Sequence, residues 1–282
     1  MSEGPEEPNK ASEETESLLP IDEHVEEGHD ADGRKVRHRG IYLLPNLFTT
    51  AALFTGLYAI INAMSGDFSN AAIAIFVAMV LDGLDGRVAR LTNTQSAFGA
   101  EYDSLSDMVA FGVAPALVAF EWALSSLGKV GWMVAFIYVA GAALRLARFN
   151  TNIAVVDKRY FQGLPSPAAA ALVAGFVWLA VDNKLPIHDS LMAWVAFTLT
   201  MYAGITMVSN APFFSGKSFA LGRSVPFWGI LLVVAVFVFV SSDPPVVLFG
   251  LFVLYGLSGW ITWAWRWNRA RRLTQERRGH TS

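Results

Sequence analysis

Long apolar segments alternate with short polar breaks along most of this chain. From about residue 42 onward, each apolar segment is long enough to cross the roughly 30 Å hydrocarbon layer of a membrane as a helix. These segments are 42–64, 69–91, 102–124, 130–150, 165–182, 188–209, 224–241 and 246–266. The pattern predicts an all-α fold, a polytopic membrane helical bundle with about eight transmembrane helices.

The two ends of the chain differ in charge from this apolar part. Residues 1–33 hold 12 of the 24 Asp and Glu residues but only one of the 21 Lys and Arg residues. We therefore expect a disordered acidic tail at 1–33, a membrane domain at 34–266 and a basic cytoplasmic tail at 267–282. Cysteine is absent, which excludes disulfides, a thiol nucleophile and thiolate metal sites.

Basic residues are concentrated in alternate breaks between the predicted spans. They precede the first span and follow the second, fourth, sixth and last, whereas the other breaks hold only Lys129 and Lys184. Because Lys and Arg remain on the cytoplasmic side of a membrane, both termini and the basic breaks are predicted to face the cytoplasm.

Four aspartates flank the break between the second and third spans. Asp82 and Asp85 are three residues apart, and Asp103 and Asp107 are four apart, so each pair projects from one helix face. A helical hairpin turning through 92–98 brings the two pairs opposite each other. Charges that merely end helices at the membrane surface are the simpler explanation, but four regularly spaced carboxylates in one hairpin favour a functional site.

Four neighbouring carboxylates repel one another unless cations neutralise them. Carboxylate oxygens suit Mg²⁺ or Mn²⁺, and four of them offer room for two divalent metal ions. With Arg90 alongside, such a site suits a pyrophosphate, whose in-line displacement two metals assist. A nucleotide could approach the helices closely at Gly86, Gly99 and the small Ala89. Asp107 is the candidate general base for an acceptor hydroxyl.

The order Asp82-x2-Asp85-Gly86-x2-Ala89-Arg90-x8-Gly99-x3-Asp103-x3-Asp107 resembles the complete motif of the CDP-alcohol phosphotransferase family. The resemblance implies an enzyme that holds two metal ions on the four Asp, binds a CDP group along the motif helices and releases CMP. Pro45-Asn46-x2-Thr49 also resembles the start of the family's domain. It implies that Asn46 and Thr49 help to bind the cytidine nucleotide.

A second segment is similar to the membrane-embedded bacterial branch of this family that uses serine. It comprises Arg145-Leu146-Ala147-Arg148-Phe149-Asn150 and Phe161-Gln162-Gly163-Leu164-Pro165-Ser166-Pro167. The resemblance implies CDP-diacylglycerol and L-serine as substrates and a six-helix core with two further C-terminal helices. It also implies a homodimer in the bacterial inner membrane, with its active site on the cytoplasmic side.

The same segment has a physical interpretation. Arg145 and Arg148 share a helix face, where two guanidinium groups could hold the carboxylate of serine or a lipid phosphate. Asn150, Gln162 and Ser166 offer hydrogen bonds to the polar ends of an amino acid. The alternative is that the arginines only anchor the helix at the cytoplasmic surface.

Two other functions remain open at this point. A sister enzyme with the same chemistry would use glycerol 3-phosphate or inositol phosphate, which require a further basic cluster for their phosphate. An ion-coupled membrane transporter would also carry intramembrane carboxylates. No nucleic-acid motif is present, so nucleic acid is not an expected partner.

Overall fold

The computed structural model describes residues 28–29, 35–36, 43–92, 97–151, 160–182, 189–214 and 227–279. The chain divides into two units, Met1–Tyr42 and Leu43–Ser282. In the first unit, Gly28–His29 (β1) pairs antiparallel with Lys35–Val36 (β2). The rest of the acidic tail lies outside the described residues, so its disorder stays a prediction.

The second unit is built from helices. In chain order they are α1 (Leu43–Met64), α2 (Phe68–Leu91), α3 (Ala97–Asp107), α4 (Ala114–Trp122), α5 (Lys129–Thr151), α6 (Ser166–Val181), α7 (Asp189–Val208), α8 (Phe227–Ser242) and α9 (Pro244–Gly279). A π-helical turn, Met108–Val113, joins α3 to α4, and a 3₁₀ turn, Leu124–Leu127, precedes α5. Two short strands, β3 (Tyr160–Gln162) and β4 (Pro212–Phe214), pair antiparallel.

Every predicted span coincides with a helical segment, but not every one is built to cross a membrane. Within the described parts of the chain, five helices are long and apolar enough, and they are Pro45–Met64, Phe98–Trp122, Lys129–Thr151, Leu191–Val208 and Pro244–Arg266. α6 and α8 have 16 residues each, and α2 carries four charged residues near its end. The all-α membrane bundle is confirmed, whereas the count of eight spans is not.

A tight hairpin joins α1 to α2. Gly66 takes a positive φ of 80° in the turn, and Asp67 then caps α2 by accepting a hydrogen bond of 3.2 Å from the Asn70 backbone N–H. The two helices pack against each other along their length. The end of α2 therefore lies beside the beginning of α1, where the candidate site is found.

α6 is the central helix of the bundle. Thirteen of its 16 residues are buried, and the run Ala168–Ala171 keeps that part of the helix narrow. α6 contributes to two hydrophobic clusters, one with α1, α2 and α4 and the other with α4, α5 and α7. Such small residues allow close helix packing in a membrane. A Cβ on Gly141 of α5 would likewise lie 2.5 Å from the carbonyl oxygen of Gly204 in α7.

The π-helical turn interrupts the regular pattern of the helix that carries Asp103 and Asp107. The Tyr138 hydroxyl of α5 donates a hydrogen bond of 3.0 Å to the carbonyl oxygen of Phe111 inside this turn. Both side chains are fully buried. An unpaired carbonyl in such a place is costly, so this bond stabilises the turn.

The last helix is longer than predicted. The apolar part of α9 ends at Arg266, but the helix continues to Gly279 through the basic segment. Residues 267–278 contain no Gly or Pro and several strong helix formers, which favours continuation. The predicted basic tail is therefore largely helical within the described residues.

Candidate active site

Three of the four motif aspartates meet at one point. Asp82 and Asp85 of α2 and Asp103 of α3 each offer a carboxylate oxygen, and these oxygens all lie within 4.8 Å of one another. Asp85 is buried and the other two are half-buried. The predicted hairpin thus brings the two helices together, although residues 93–96 of its turn lie outside the described residues.

Asp107 lies one helical turn beyond Asp103 and outside this group of three. Its carboxyl group is within hydrogen-bonding reach of Asp82 and close enough to Asp103 for electrostatic interaction. Two neighbouring carboxylates repel each other unless they share a proton or a cation lies between them. The structure therefore brings all four aspartates together, with Asp107 at one side of the cluster.

The cluster fits a divalent metal ion. Oδ1 of Asp103 is buried and has no hydrogen-bond partner among the described residues, as expected for an oxygen that binds a cation. The group consists only of carboxylate oxygens, which are the ligands that Mg²⁺ and Mn²⁺ prefer. A divalent ion would neutralise charges that otherwise repel one another.

Thr49 connects α1 to the aspartate cluster. Its hydroxyl donates a hydrogen bond of 2.7 Å to Oδ2 of Asp85, and both residues are buried. Ser106 of α3 donates a hydrogen bond of 3.1 Å to the carbonyl oxygen of Thr49. The Thr49 hydroxyl therefore orients Asp85, and its predicted part in nucleotide binding stays a prediction. Ser106 was not among the predicted site residues, although it lies in the Ser/Asp-rich end of α3 between Asp103 and Asp107.

Asn46 lies one turn before Thr49 on α1. Its carbonyl oxygen accepts a hydrogen bond of 2.7 Å from the Thr50 hydroxyl, and its side chain is half-buried. The Thr50 hydroxyl also lies 2.9 Å from the Tyr102 hydroxyl of α3. These bonds tie the first turns of α1 to α3, and nucleotide binding by Asn46 stays a prediction.

The remaining motif residues lie along α2 and the start of α3. The Arg90 guanidinium lies over Gly86, because a Cβ added at Gly86 would be 3.7 Å from Arg90 Nη1. Arg90 also interacts electrostatically with Asp85. Ala89 and Gly99 are half-buried. Protein packing alone does not require glycine at position 86, since the added atom would make an ordinary contact there.

Arg145 of α5 lies on the other side of Asp107. It is buried, and its Nη1 donates a hydrogen bond of 2.6 Å to Oγ of Ser166, the first residue of α6. Arg145 and Asp107 interact electrostatically. A buried guanidinium normally requires paired acceptors, and here it has one hydroxyl and a nearby carboxyl group.

Arg148 has different partners from Arg145. It donates hydrogen bonds to the carbonyl oxygens of Gln162 at 2.7 Å, Val208 at 3.2 Å and Ser209 at 3.3 Å, and to Oδ1 of Asn210 at 3.2 Å. Arg148 therefore ties β3 to the end of α7. Gln162 takes part through its backbone, while its side chain is exposed. The two arginines that were predicted as a pair do not share a partner among these bonds.

Asn150 fixes the end of α5 against α3. Its Nδ2 lies 3.0 Å from Oγ of Ser104, and that hydroxyl lies 3.2 Å from Oδ1 of Asn150. Ser104 directly follows Asp103 in the chain. Asn150 thus holds the segment that carries one of the clustered aspartates.

Two comparisons with known proteins bear on this site. A family model described as CDP-alcohol phosphatidyltransferase matches residues 42–208, which include all four aspartates. The chain belongs to the CDP-alcohol phosphatidyltransferase family. The predicted resemblance is confirmed, and the aspartates at the centre of the site lie within the region that this phosphatidyltransferase model matches.

Relatives of this phosphatidyltransferase include proteins named CDP-diacylglycerol–serine O-phosphatidyltransferase in three organisms. The chain is 38% identical to the Helicobacter pylori protein over 227 residues, which cover 78% of this chain and 92% of the relative. It is 42% identical to the Mycobacterium tuberculosis protein over 53% of this chain and 54% of the relative. It is 40% identical to the Methanocaldococcus jannaschii protein over 61% of this chain and 74% of the relative.

Proposed function

We propose that this enzyme transfers the phosphatidyl group of CDP-diacylglycerol to the hydroxyl of L-serine, giving phosphatidylserine and CMP. The observation that carries the proposal is the 38% identity to a serine-using relative over 92% of that relative's length. The aspartate cluster supplies the chemistry that such a transfer needs. Family membership favours this enzyme over an ion-coupled transporter.

We refer to the residues around the leaving nucleotide as the donor side. It comprises Asn46, Thr49, Asp82, Asp85, Gly86, Ala89, Arg90, Gly99, Asp103 and Asp107. Asp82, Asp85, Asp103 and Asp107 would hold two divalent ions, Mg²⁺ or Mn²⁺. When bound, these ions neutralise the pyrophosphate and polarise its oxygens. Thr49 keeps Asp85 oriented, and Gly86 leaves space for the nucleotide.

The reaction exchanges one bond at phosphorus for another. The serine hydroxyl oxygen attacks the phosphorus that carries diacylglycerol, and the bond from that phosphorus to the oxygen of CMP breaks. Asp107 accepts the proton of the serine hydroxyl, and the leaving oxygen departs with CMP. Asp107 suits this role because it interacts electrostatically both with Asp82 and Asp103 and with Arg145.

We refer to Arg145, Arg148, Asn150, Gln162 and Ser166 as the acceptor side. Arg145 would bind the serine carboxylate or the lipid phosphate, since it is the basic group closest to Asp107 among these residues. Ser166 holds Arg145 in place, and Asn150 and Gln162 would bind the polar ends of serine. Arg148 would bind an anion only through guanidinium N–H groups that its hydrogen bonds to the protein do not use.

Acceptors that carry a phosphate are the alternative within the family. Glycerol 3-phosphate or inositol phosphate would need a second basic group beside Arg145, and Arg148 instead contacts backbone carbonyls. The names of the relatives also favour serine. Assays of purified protein with each acceptor would distinguish these enzymes.

The membrane arrangement forms part of the proposal. We propose eight spans in a bacterial inner membrane, with both termini and the active site on the cytoplasmic side. We also propose that the protein is a homodimer. The basic breaks that follow even-numbered spans support this orientation. Lys184, one of two basic residues on the opposite side, lies outside the described residues.

The test is an assay of the full chain in detergent with CDP-diacylglycerol, Mn²⁺ or Mg²⁺ and labelled serine. Labelled phosphatidylserine and an equal amount of CMP should appear, and Asp107→Asn should abolish both without unfolding the protein. Asp67→Asn is the matched control, because Asp67 is exposed and Asn also caps helices. Turnover with another alcohol but none with serine would overturn the choice of acceptor.

A further inference from the structure

α9 lies beyond the region that the family model matches, yet it is hydrogen-bonded to β4. The Tyr255 hydroxyl donates a hydrogen bond of 3.0 Å to the carbonyl oxygen of Phe214, and the Thr262 hydroxyl donates one of 2.9 Å to that of Pro212. The two donors lie seven residues apart, on one face of the helix. α9 thus holds both ends of this short strand.

The middle residue of β4 packs onto a glycine of α9. A Cβ on Gly259 would lie 2.2 Å from Cζ of Phe213, so the ring contacts the helix backbone. Phe213 is fully buried and also packs against the Tyr255 ring, with centroids 5.6 Å apart. Because the ring is enclosed, it cannot move aside freely, and glycine is required at 259.

β4 pairs with β3, which leads directly into the start of α6. Next to the β3–β4 pair, the Gly163 N–H donates to the Ala211 carbonyl at 2.9 Å, and the Leu164 N–H donates to that of Thr206 at 3.1 Å. Gly163 has a φ of 80°, and a Cβ there would lie 2.2 Å from the Met207 carbonyl oxygen. The segment before Ser166 is therefore held closely against the end of α7.

This series of contacts ends at Arg145. Ser166, at the start of α6, accepts the hydrogen bond from Arg145, which lies near Asp107. Tyr255 of α9 also lies within electrostatic range of Arg145. α9 is thus connected to the acceptor side through β4, and its Tyr255 interacts electrostatically with Arg145.

We propose that Tyr255, Gly259 and Thr262 of α9 are positioning residues for the acceptor alcohol. They fix the position of the Arg145 side chain through β4 and Ser166. The inference rests on the proposed function. It assigns the last helix a part in acceptor affinity, in addition to membrane anchoring. Changes in this helix should then alter serine binding while leaving the binding of CDP-diacylglycerol and of the divalent ion intact.

The main test compares two identical substitutions in α9. Gly259→Ala places a methyl group against the Phe213 ring, whereas Gly250→Ala meets no atom within 4 Å. In the full-length protein in detergent, Gly259→Ala should raise the KM for serine about tenfold, since small displacements in an active site have large effects. The KM for CDP-diacylglycerol and the Mn²⁺ dependence should change less than about twofold. Gly250→Ala should behave like the wild type.

A second pair of variants serves if Gly259→Ala does not fold. Thr262→Val removes the hydroxyl that bonds to Pro212, and Thr262→Ser retains it. The valine variant should raise the KM for serine about threefold, and the serine variant should restore it, as expected for one hydrogen bond.

An unchanged KM for serine in both Gly259→Ala and Thr262→Val would overturn the inference, as would an equal rise in the KM of both substrates. Failure of the proposed function is a separate result. If the wild type uses another alcohol and not serine, the acceptor assignment fails, and the same KM comparison made with that alcohol decides whether α9 positions it.

Discussion

The donor side and the acceptor side of this site are constructed in different ways. On the donor side, side chains at helical spacing within residues 46–107 contact one another directly, as in the hydrogen bond from Thr49 to Asp85. On the acceptor side, Arg145 contacts Ser166 and Asn150 contacts Ser104 through their side chains. Much of the rest of that side is held through backbone carbonyls, which Arg148 and α9 bind from distant parts of the chain.

This difference predicts how the two sides respond to mutation. The donor-side carboxylates and Thr49 would take part in the chemistry, so their loss should lower kcat. Gly86 on the donor side and the acceptor-side groups would hold a substrate in place, so changes there should raise the KM of one substrate. Four substitutions, taken from the largest expected effect to the smallest, examine this contrast.

Asp85→Asn should lower turnover about a thousandfold or more, because it removes one charge from the cation-binding cluster while preserving side-chain size. CMP release measured against Mn²⁺ concentration checks this. Asp67→Asn, at the exposed start of the same helix, should retain activity. Asp85→Asn turnover above about one tenth of wild type would contradict a central role for the cluster.

Arg145→Lys should raise the KM for serine about ten- to hundredfold, because an ammonium group cannot replace a planar guanidinium that bonds to Ser166 and faces an anion. The KM for CDP-diacylglycerol should stay nearly constant if Arg145 binds serine. Steady-state kinetics with each substrate varied in turn gives both values. Arg269→Lys, an exposed change on α9, is the control. If CDP-diacylglycerol alone is bound more weakly, Arg145 contacts the lipid phosphate instead.

Thr49→Val should lower kcat about tenfold, because Asp85 loses the buried hydroxyl that orients it. Thr49→Ser keeps the hydroxyl and should recover most of the activity. The two variants are compared by turnover and by the Mn²⁺ concentration that gives half-maximal rate. Equal activity in both would show that the hydrogen bond does not position the cluster.

Gly86→Ala should raise the KM for CDP-diacylglycerol about three- to tenfold if the nucleotide approaches the helix at this glycine. Gly83→Ala, one turn earlier on α2, meets no protein atom within 4 Å and should have no effect. Alanine favours helix formation over glycine, so lower helix stability would not explain a loss in either variant. Identical KM values for the two variants would show that Gly86 is not part of the nucleotide site.

The donor side could be predicted from the sequence because its residues follow helical spacing within short segments of the chain. The spacing of Asp82, Asp85, Asp103 and Asp107 follows helix geometry, and the apolar segments predicted the helices that carry them. The start of α6 was also predictable, since Pro167 lies in the first turn of the helix, where proline is well tolerated. Helix positions and a cluster of carboxylates can be predicted from such short-range patterns.

The acceptor side was harder to predict from the sequence because many of its contacts involve backbone atoms. Every residue has a carbonyl group, so nothing in the sequence distinguishes Val208 or Ser209 as partners of Arg148. The pairing of β3 with β4 joins segments about 50 residues apart in strands of only three residues, too short for an alternating pattern. The glycine at 163 was the one local sign of a special backbone conformation.

The π-helical turn Met108–Val113 determines how the two halves of one membrane helix are rotated relative to each other. An α-helix rotates by about 100° with each residue, whereas a π turn accommodates a residue more than an α turn does. Deleting one residue from this turn would swing Asp103 and Asp107 away from α2 by roughly that angle while α4 stayed packed. We therefore expect catalysis to depend on chain length at this turn as well as on residue identity. An insertion or deletion there should abolish activity even though every motif residue is retained.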